Sequence, residues 1–148
     1  MADATSFTVK RMIQVRAVVT PRWKDDAERE LSNAVSNLDQ QLAQLEQDGQ
    51  RLITEIRSQS ANPLDPRVQD QVASVQQQVT TKRAELEEQK RQVLDQQQQV
   101  RELELEAVVD QGQLESFVDI RVGDNLLEKL PAAVLVRDGV VESIDGAA

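Results

Sequence analysis

The feature that most constrains the fold is a pair of long heptad patterns separated by a proline-rich break. Between residues 31 and 56, and again between residues 68 and 103, mostly apolar residues recur at alternating spacings of four and three. This alternation places apolar side chains on one stripe of a helix, as in a coiled coil. Because Pro63 and Pro66 interrupt any continuous helix, the sequence predicts an antiparallel helical hairpin.

The two stripes also predict how the helices align. The first consists of Leu31, Val35, Leu38, Leu42, Leu45, Gly49, Leu52 and Ile56. The second consists of Val68, Val72, Val75, Val79, Lys82, Leu86, Gln89, Val93, Gln96, Val100 and Leu103. An antiparallel hairpin closing near Pro63 pairs members whose residue numbers add to 124, such as Ile56 with Val68. Polar members of the stripe and apolar side chains beside it predict that the arm binds another copy or a partner.

Both ends of the chain have the two-residue alternation of β-strands. Residues 7–19 alternate apolar and polar side chains, with a bend or bulge expected near residues 10–12. Thr20 and Pro21 then suit the cap and first position of a helix. Near the other end, Asp138-Gly139 separates two apolar runs, which is a strong hairpin signal. The strand at 7–19 has no partner close in sequence, so we expect it to pair with the C-terminal strands.

These elements together predict an α+β fold. Residues 1–20 and 106–148 form a small β head, either a sheet or a partly closed barrel, with Trp23 and Phe117 contributing to its core. Residues 21–105 form a coiled-coil hairpin inserted between the strands, with its tip at residues 58–66.

Composition argues against catalysis. The 148 residues include no Cys and no His, which removes thiolate nucleophiles, the usual general base near neutral pH and the commonest transition-metal ligands. Carboxylates are so frequent, 26 in all, that chance pairs carry no information. We therefore expect a protein that is not an enzyme and that has no cofactor and no metal.

Location follows from what the chain lacks. The opening residues do not resemble a signal peptide. The longest apolar run, residues 132–136, is far shorter than the ~20 residues that span a membrane. We therefore expect a cytoplasmic protein with no membrane partner.

Two surfaces are candidates for binding. The hairpin tip presents Pro63, Leu64, Asp65 and Pro66 to a protein partner. The first 24 residues carry a net charge of +4 and could contact RNA or a ribosome through Lys10, Arg11, Arg16, Arg22 and Lys24. The alternative is that these cations pair with the C-terminal strands, where residues 106–148 carry −6. The net charge of −9 disfavours nucleic acid as a partner.

Four segments resemble a known family: VVTPRWKDDAERELSNAVSNLDQQLAQLE at 18–46, VVDQGQLESF at 108–117, VGDNLLEKL at 122–130 and VLVRDGVVESI at 134–144. They are similar to the YlqD-like family of bacterial proteins, and the similarity covers nearly the whole chain. The resemblance supplies no activity, cofactor or catalytic residue. In some bacteria the family's gene lies among genes for ribosome maturation, which implies a link to translation.

The leading hypothesis is a structural or protein-interaction protein that binds a partner, or another copy of itself, through the arm. A ribosome- or RNA-associated factor that uses the basic N-terminal strand is one alternative. A holdase that resembles prefoldin, with a β head and a helical hairpin, is the other.

Overall fold

The structure, a computed structural model, describes residues 5–146 and confirms the α+β fold. Its elements are β1 (Ser6–Val18), α1 (Pro21–Ser58), α2 (Pro66–Glu102), β2 (Val108–Arg121), α3 (Leu126–Lys129), β3 (Ala132–Arg137) and β4 (Val140–Gly146). Two long helices form a hairpin between the N-terminal strand and the C-terminal strands. The first four and last two residues, which the sequence analysis assigned to the head, lie outside the described part.

The chain divides into two compact units. One, the sheet unit, is built from residues up to Asp26 and from Glu102 onward. The other, the helical unit, is Ala27–Arg101.

The strands form one four-stranded sheet in the order β2-β1-β3-β4. β1 is antiparallel to β2, with Phe7 opposite Ile120 and Val18 opposite Val108. On its other side β1 is parallel to β3, and β3 forms an antiparallel hairpin with β4. β1 thus lies inside the sheet, between two strands that come after both long helices in the sequence. This confirms the predicted pairing of the N-terminal strand with the C-terminal strands.

The bulge does not lie where the sequence predicted it. The register of β1 against β2 shifts between Val15 and Arg16, where β2 contains one extra residue, Gln111. Gly112, with φ of 142°, follows that residue and supplies a backbone conformation that other residues rarely adopt. The irregularity originates in β2, so the sequence of β1 could not locate it.

The start of α1 and the β3–β4 turn meet through side chains. Thr20 caps α1, because its Oγ1 accepts a hydrogen bond from the Trp23 N–H at 3.0 Å. The same hydroxyl donates to Asp138 Oδ1 at 2.6 Å. Asp138 and Gly139 both have positive φ, 49° and 84°, as a two-residue hairpin turn of type I′ requires. The predicted helix start and hairpin are both confirmed.

The predicted alignment of the two helices is wrong by about one helical turn. Contacts across the hairpin join Gly49 with Val79, Glu46 with Arg83, Asp39 with Lys90 and Ser32 with Gln97. The residue numbers of these pairs total 128 or 129, whereas the prediction required 124.

Three polar members of the second stripe are also placed wrongly, although they do not account for the shifted contact of Gly49 with Val79, since both of these residues belong to the predicted stripes. Lys82, Gln89 and Gln96 are exposed, and the residue after each of them, Arg83, Lys90 and Gln97, is more buried. A long side chain can lay its methylene groups along apolar surface while its polar end reaches outward. Here the polar ends find Glu46, Asp39 and the Ser32 hydroxyl on the facing helix. At each of these three places the strict spacing of four and three residues predicted that Lys82, Gln89 or Gln96 faces the other helix, whereas the next residue in the sequence does so.

Gly49 of α1 lies directly against a side chain of α2. A Cβ atom at this position would lie 2.7 Å from Val79 Cγ2, well inside the contact distance of two carbon atoms. Valine in a helix is largely confined to one rotamer, so it cannot easily turn away.

We predict that Gly49→Ala destabilises the hairpin, although alanine favours a helix by about 1 kcal/mol over glycine. In the Val79→Ala background the same change should stabilise the protein by roughly 1 kcal/mol, because the clash is gone. Chemical denaturation of the four chains of this double-mutant cycle measures the coupling. Equal effects of Gly49→Ala in both backgrounds would contradict the contact.

Two carboxyl groups of the sheet unit have pKa values lowered by a neighbouring cation. Arg137 donates to both carboxylate oxygens of Glu106, at 2.7 and 2.5 Å, and to Glu142 at 2.5 Å. The hydrogen bond from Arg137 holds the pKa of Glu106 below its ordinary value, since it favours the charged carboxylate. The pKa of Asp124 is lowered chiefly by the hydrogen bond from Lys129, at 2.9 Å, and next by that from the Arg121 N–H.

These pKa shifts predict acid sensitivity. A carboxyl whose pKa is lower in the folded state stabilises that state above its unfolded pKa, about 4.5 for Glu106, and loses the effect as pH falls through the folded pKa. Melting temperature followed from pH 7 downward should therefore fall below about pH 4.5, and less so in Arg137→Gln and in Glu106→Gln. An acid response in Arg137→Gln as steep as that of the wild type would contradict the assignment.

Candidate functional site

The tip of the hairpin is an ordered loop between Ser58 and Pro66. Asp65 caps α2, because its Oδ1 accepts from the Arg67 N–H at 2.9 Å and its carbonyl accepts from the Gln69 N–H at 3.1 Å. Asn62 makes similar contacts with the two residues just before α2. Its Oδ1 accepts a hydrogen bond from the Leu64 N–H at 3.1 Å, and its carbonyl accepts one from the Asp65 N–H at 3.0 Å. The break between the two helices is as the sequence predicted. The loop backbone is therefore fixed by its own hydrogen bonds.

A groove of about 320 Å³ opens at this tip. It is lined by Arg57, Pro63, Leu64, Val68, Gln69, Val72 and Gln76. Leu64 is 76 % exposed, while Val68 and Val72 are buried. The groove thus has an apolar surface that extends from the interior of the hairpin to one outward-facing leucine.

Two of the four predicted tip residues line this groove and two do not. Pro63 and Leu64 are in the lining, whereas Asp65 serves as the helix cap and Pro66 as the first residue of α2. The sequence analysis missed Val68, Val72 and Gln76 as site residues. Their spacing of four residues puts them on one face of α2, and that spacing, next to the exposed leucine, is the signal that could have identified them.

The groove can accept an apolar side chain with a polar neighbour. Its volume is at the lower limit of the range of about 300–1,000 Å³ typical of small-molecule pockets. Its lining combines apolar groups with two glutamine amides and one cation, Arg57. Such a lining suits one or two residues of another protein, with an amide or carboxylate partner for the polar wall.

The second candidate surface, the basic strand, is largely paired within the sheet. Lys10 Nζ lies 2.9 Å from Glu115 Oε1, and Arg16 Nε lies 3.7 Å from Asp110 Oδ1. Arg11 donates from Nη1 to the Lys129 carbonyl at 3.0 Å. The structure thus confirms the pairing of Lys10 and Arg16 with the acidic C-terminal strands. It places Lys10 and Arg11 on opposite faces of the sheet.

The two faces of the sheet differ in charge. Where all four strands run side by side, one face of the sheet carries three rows of side chains, and each row has one residue from each strand. We call these twelve positions the open face. In the strand order β2, β1, β3, β4, the first row is Leu114, Ile13, Ala132 and Gly146, the second is Gly112, Val15, Val134 and Ile144, and the third is Val109, Ala17, Val136 and Val141. None of these twelve positions is charged. The opposite face carries the Lys10–Glu115 and Arg16–Asp110 pairs.

Phe117 corrects a further expectation. It lies opposite Lys10 on the charged face and is 69 % exposed, so it is not part of the core. Trp23 is half-buried, and its Nε1 donates to Gln111 Oε1 at 2.9 Å. The period-two pattern that placed Phe117 in a strand did not specify which face of that strand is covered.

Within residues 5–146, no group of three or more His, Cys, Asp or Glu side chains has an arrangement that could hold a metal ion. No helix in that range combines the length and the apolar character needed to cross a membrane.

Comparisons with known proteins agree with this fold. A family model described as YlqD protein matches residues 7–145. A crystal structure of a protein of unknown function from Synechococcus sp. WH 8102 is 65 % identical, with a TM-score of 0.83, and the match covers 98 % of each chain. The search of curated proteins found no match.

Proposed function

The chain belongs to the YlqD family, and we propose that it is a non-enzymatic interaction protein that binds a protein partner through the tip of a coiled-coil hairpin. The observation that carries this proposal is the exposed Leu64 at the edge of a groove lined by apolar and polar groups, on a loop with internal hydrogen bonds. An exposed leucine alone would be ordinary, but an exposed leucine beside a groove that reaches buried valines offers a partner both a knob and a pocket.

The loop's rigidity supports binding at this point. Pro63 and Pro66 restrict the backbone on either side of Leu64, and Asn62 and Asp65 add hydrogen bonds. A loop already held in one conformation loses little entropy when a partner binds. Complete burial of a leucine side chain contributes about 1.5–3 kcal/mol. Leu64 would therefore account for a large part of a moderate affinity.

The lining also indicates the partner's chemistry. Val68 and Val72 require an apolar side chain, and Arg57 favours a carboxylate close to it. We infer a short segment of another protein that carries a leucine-like residue with an acidic neighbour.

The alternatives have less support from the structure. An RNA phosphate at Lys10 or Arg16 would compete with Glu115 or Asp110 for each cation. For a holdase, exposed leucines along the arm such as Leu52 and Leu94 would serve as client contacts. Both remain hypotheses that the following experiment separates from tip binding.

Capture from native lysate with three baits tests the proposal: wild type, Leu64→Ser in the tip loop, and Leu94→Ser as a control at an exposed leucine within α2. A protein bound by wild type and by Leu94→Ser should bind Leu64→Ser about ten- to a hundredfold more weakly. Leu64→Ser should melt at the temperature of the wild type, since Leu64 is 76 % exposed, and Leu94→Ser should melt slightly lower, since Leu94 is 45 % exposed.

Retention of the partner by Leu64→Ser would contradict tip binding. Loss from both leucine variants would favour a client-binding arm. Recovery of RNA that a bait with Lys10→Glu no longer binds would favour the basic strand.

A further inference from the structure

The open face of the sheet leaves large apolar side chains in water. Ile144 and Val141, on the outer strand β4, are 76 % and 51 % exposed, and Leu114 on the opposite outer strand β2 is also exposed. A sheet that is apolar on one face ordinarily buries that face against a second layer. α3 reaches the face near Arg11, whose guanidinium donates to the Lys129 carbonyl. Leu114, Ile144 and Val141, at the outer ends of the three rows, remain accessible, whereas Ala17 inside the third row is buried.

We propose that the open face binds the open face of a second copy of this chain, so that two sheets pack into a β-sandwich homodimer. This surface is separate from the hairpin tip, and the proposal does not depend on tip binding. Contact between identical faces is the common arrangement of a twofold dimer, because each copy contributes the same patch once.

Charge favours a second copy at this place. Each chain carries −9, so two copies repel wherever their acidic groups meet. The twelve positions of the open face include no charged residue. The nearest cation on this face, Arg11, is already bonded to a main-chain carbonyl. Two copies can therefore meet here without opposing like charges.

The size of the face can be compared with that of a dimer interface. Four strands about 4.8 Å apart, each contributing five residues of about 3.3 Å, give a flat area of roughly 300 Å². Beyond these rows the paired ends of β1 and β2 add little open area, because the same face there contains Arg11, where α3 approaches, and Val118, which is buried. Projecting side chains make the accessible area larger than the flat area, and a standard interface buries about 800 Å² on each partner.

Composition further distinguishes a second copy from a transient partner. Interfaces of short-lived complexes are about as polar as the rest of a protein surface, whereas homodimer interfaces are more apolar and resemble a core cut in half. The open face is apolar in every row and on all four strands. It therefore matches a lasting contact between copies.

Adjacent residues of β4 provide the test. Val141 lies on the open face opposite Val136, and Val140 lies on the charged face opposite Arg137, with 69 % of its surface exposed. Sedimentation equilibrium should show wild type at twice the 16.6 kDa of one chain. Val141→Asp should weaken the dimer by roughly a hundredfold or more, because a carboxylate would be buried in the interface. Val140→Asp should leave the dimer unchanged.

A second pair of variants guards against misfolding. Ile144→Asp, at a more exposed position of the open face, should also dissociate the dimer, and Ser143→Asp, its neighbour on the other face, should not. Fluorescence of Trp23, the sole tryptophan, reports whether the sheet unit is folded in each variant. A wild-type monomer at 100 µM overturns the proposal. A dimer that Val141→Asp and Ile144→Asp leave intact, or that Val140→Asp dissociates equally, overturns it as well.

Discussion

The fold depends on one requirement: the first strand has to pair with strands that come after both long helices. β1 is held between β2 and β3, and main-chain hydrogen bonds of 2.8 Å from Val19 to Ala107 and from Glu106 to Val19 continue this pairing beyond the strand ends. The chain that leaves at Val19 must therefore return at Glu106. Helices of 38 and 37 residues, antiparallel and nearly equal in length, bring it back. Without the hairpin, bringing these two points together would require closing a flexible loop of the same length.

Much of this could be predicted because periodicity and turn chemistry are local signals. The heptads, the two prolines and Asp138-Gly139 each specify an element from a few neighbouring residues, and the structure confirms them. The helix register, the bulge at Gln111 and the exposed Phe117 depend on contacts between distant segments. A single heptad pattern cannot decide between Lys82 and Arg83 until the facing Glu46 is known. The sequence analysis identified Leu64 as a candidate but did not connect it with the spacing of Val68 and Val72, which line the same groove.

The two candidate surfaces differ in chemistry, and that difference divides their roles. The groove at the tip is small, is lined by both apolar and polar groups and includes a cation, features that suit selective recognition of a short segment. The open face is broad and uncharged, which suits a lasting contact with an identical face. A dimer formed through the sheets would present two tips, so a partner with two binding segments would gain avidity without any new contact.

Photo-crosslinking in cells tests this division most directly. Leu64 and Ile144 are equally exposed, at 76 %, so a benzophenone amino acid at either position has the same access to a neighbour. From position 144 the predicted product is a dimer of the chain, at twice 16.6 kDa. From position 64 it is an adduct with a different protein. A dimer formed from position 64 alone, or the same foreign protein captured from both positions, would contradict the assignment of the two surfaces.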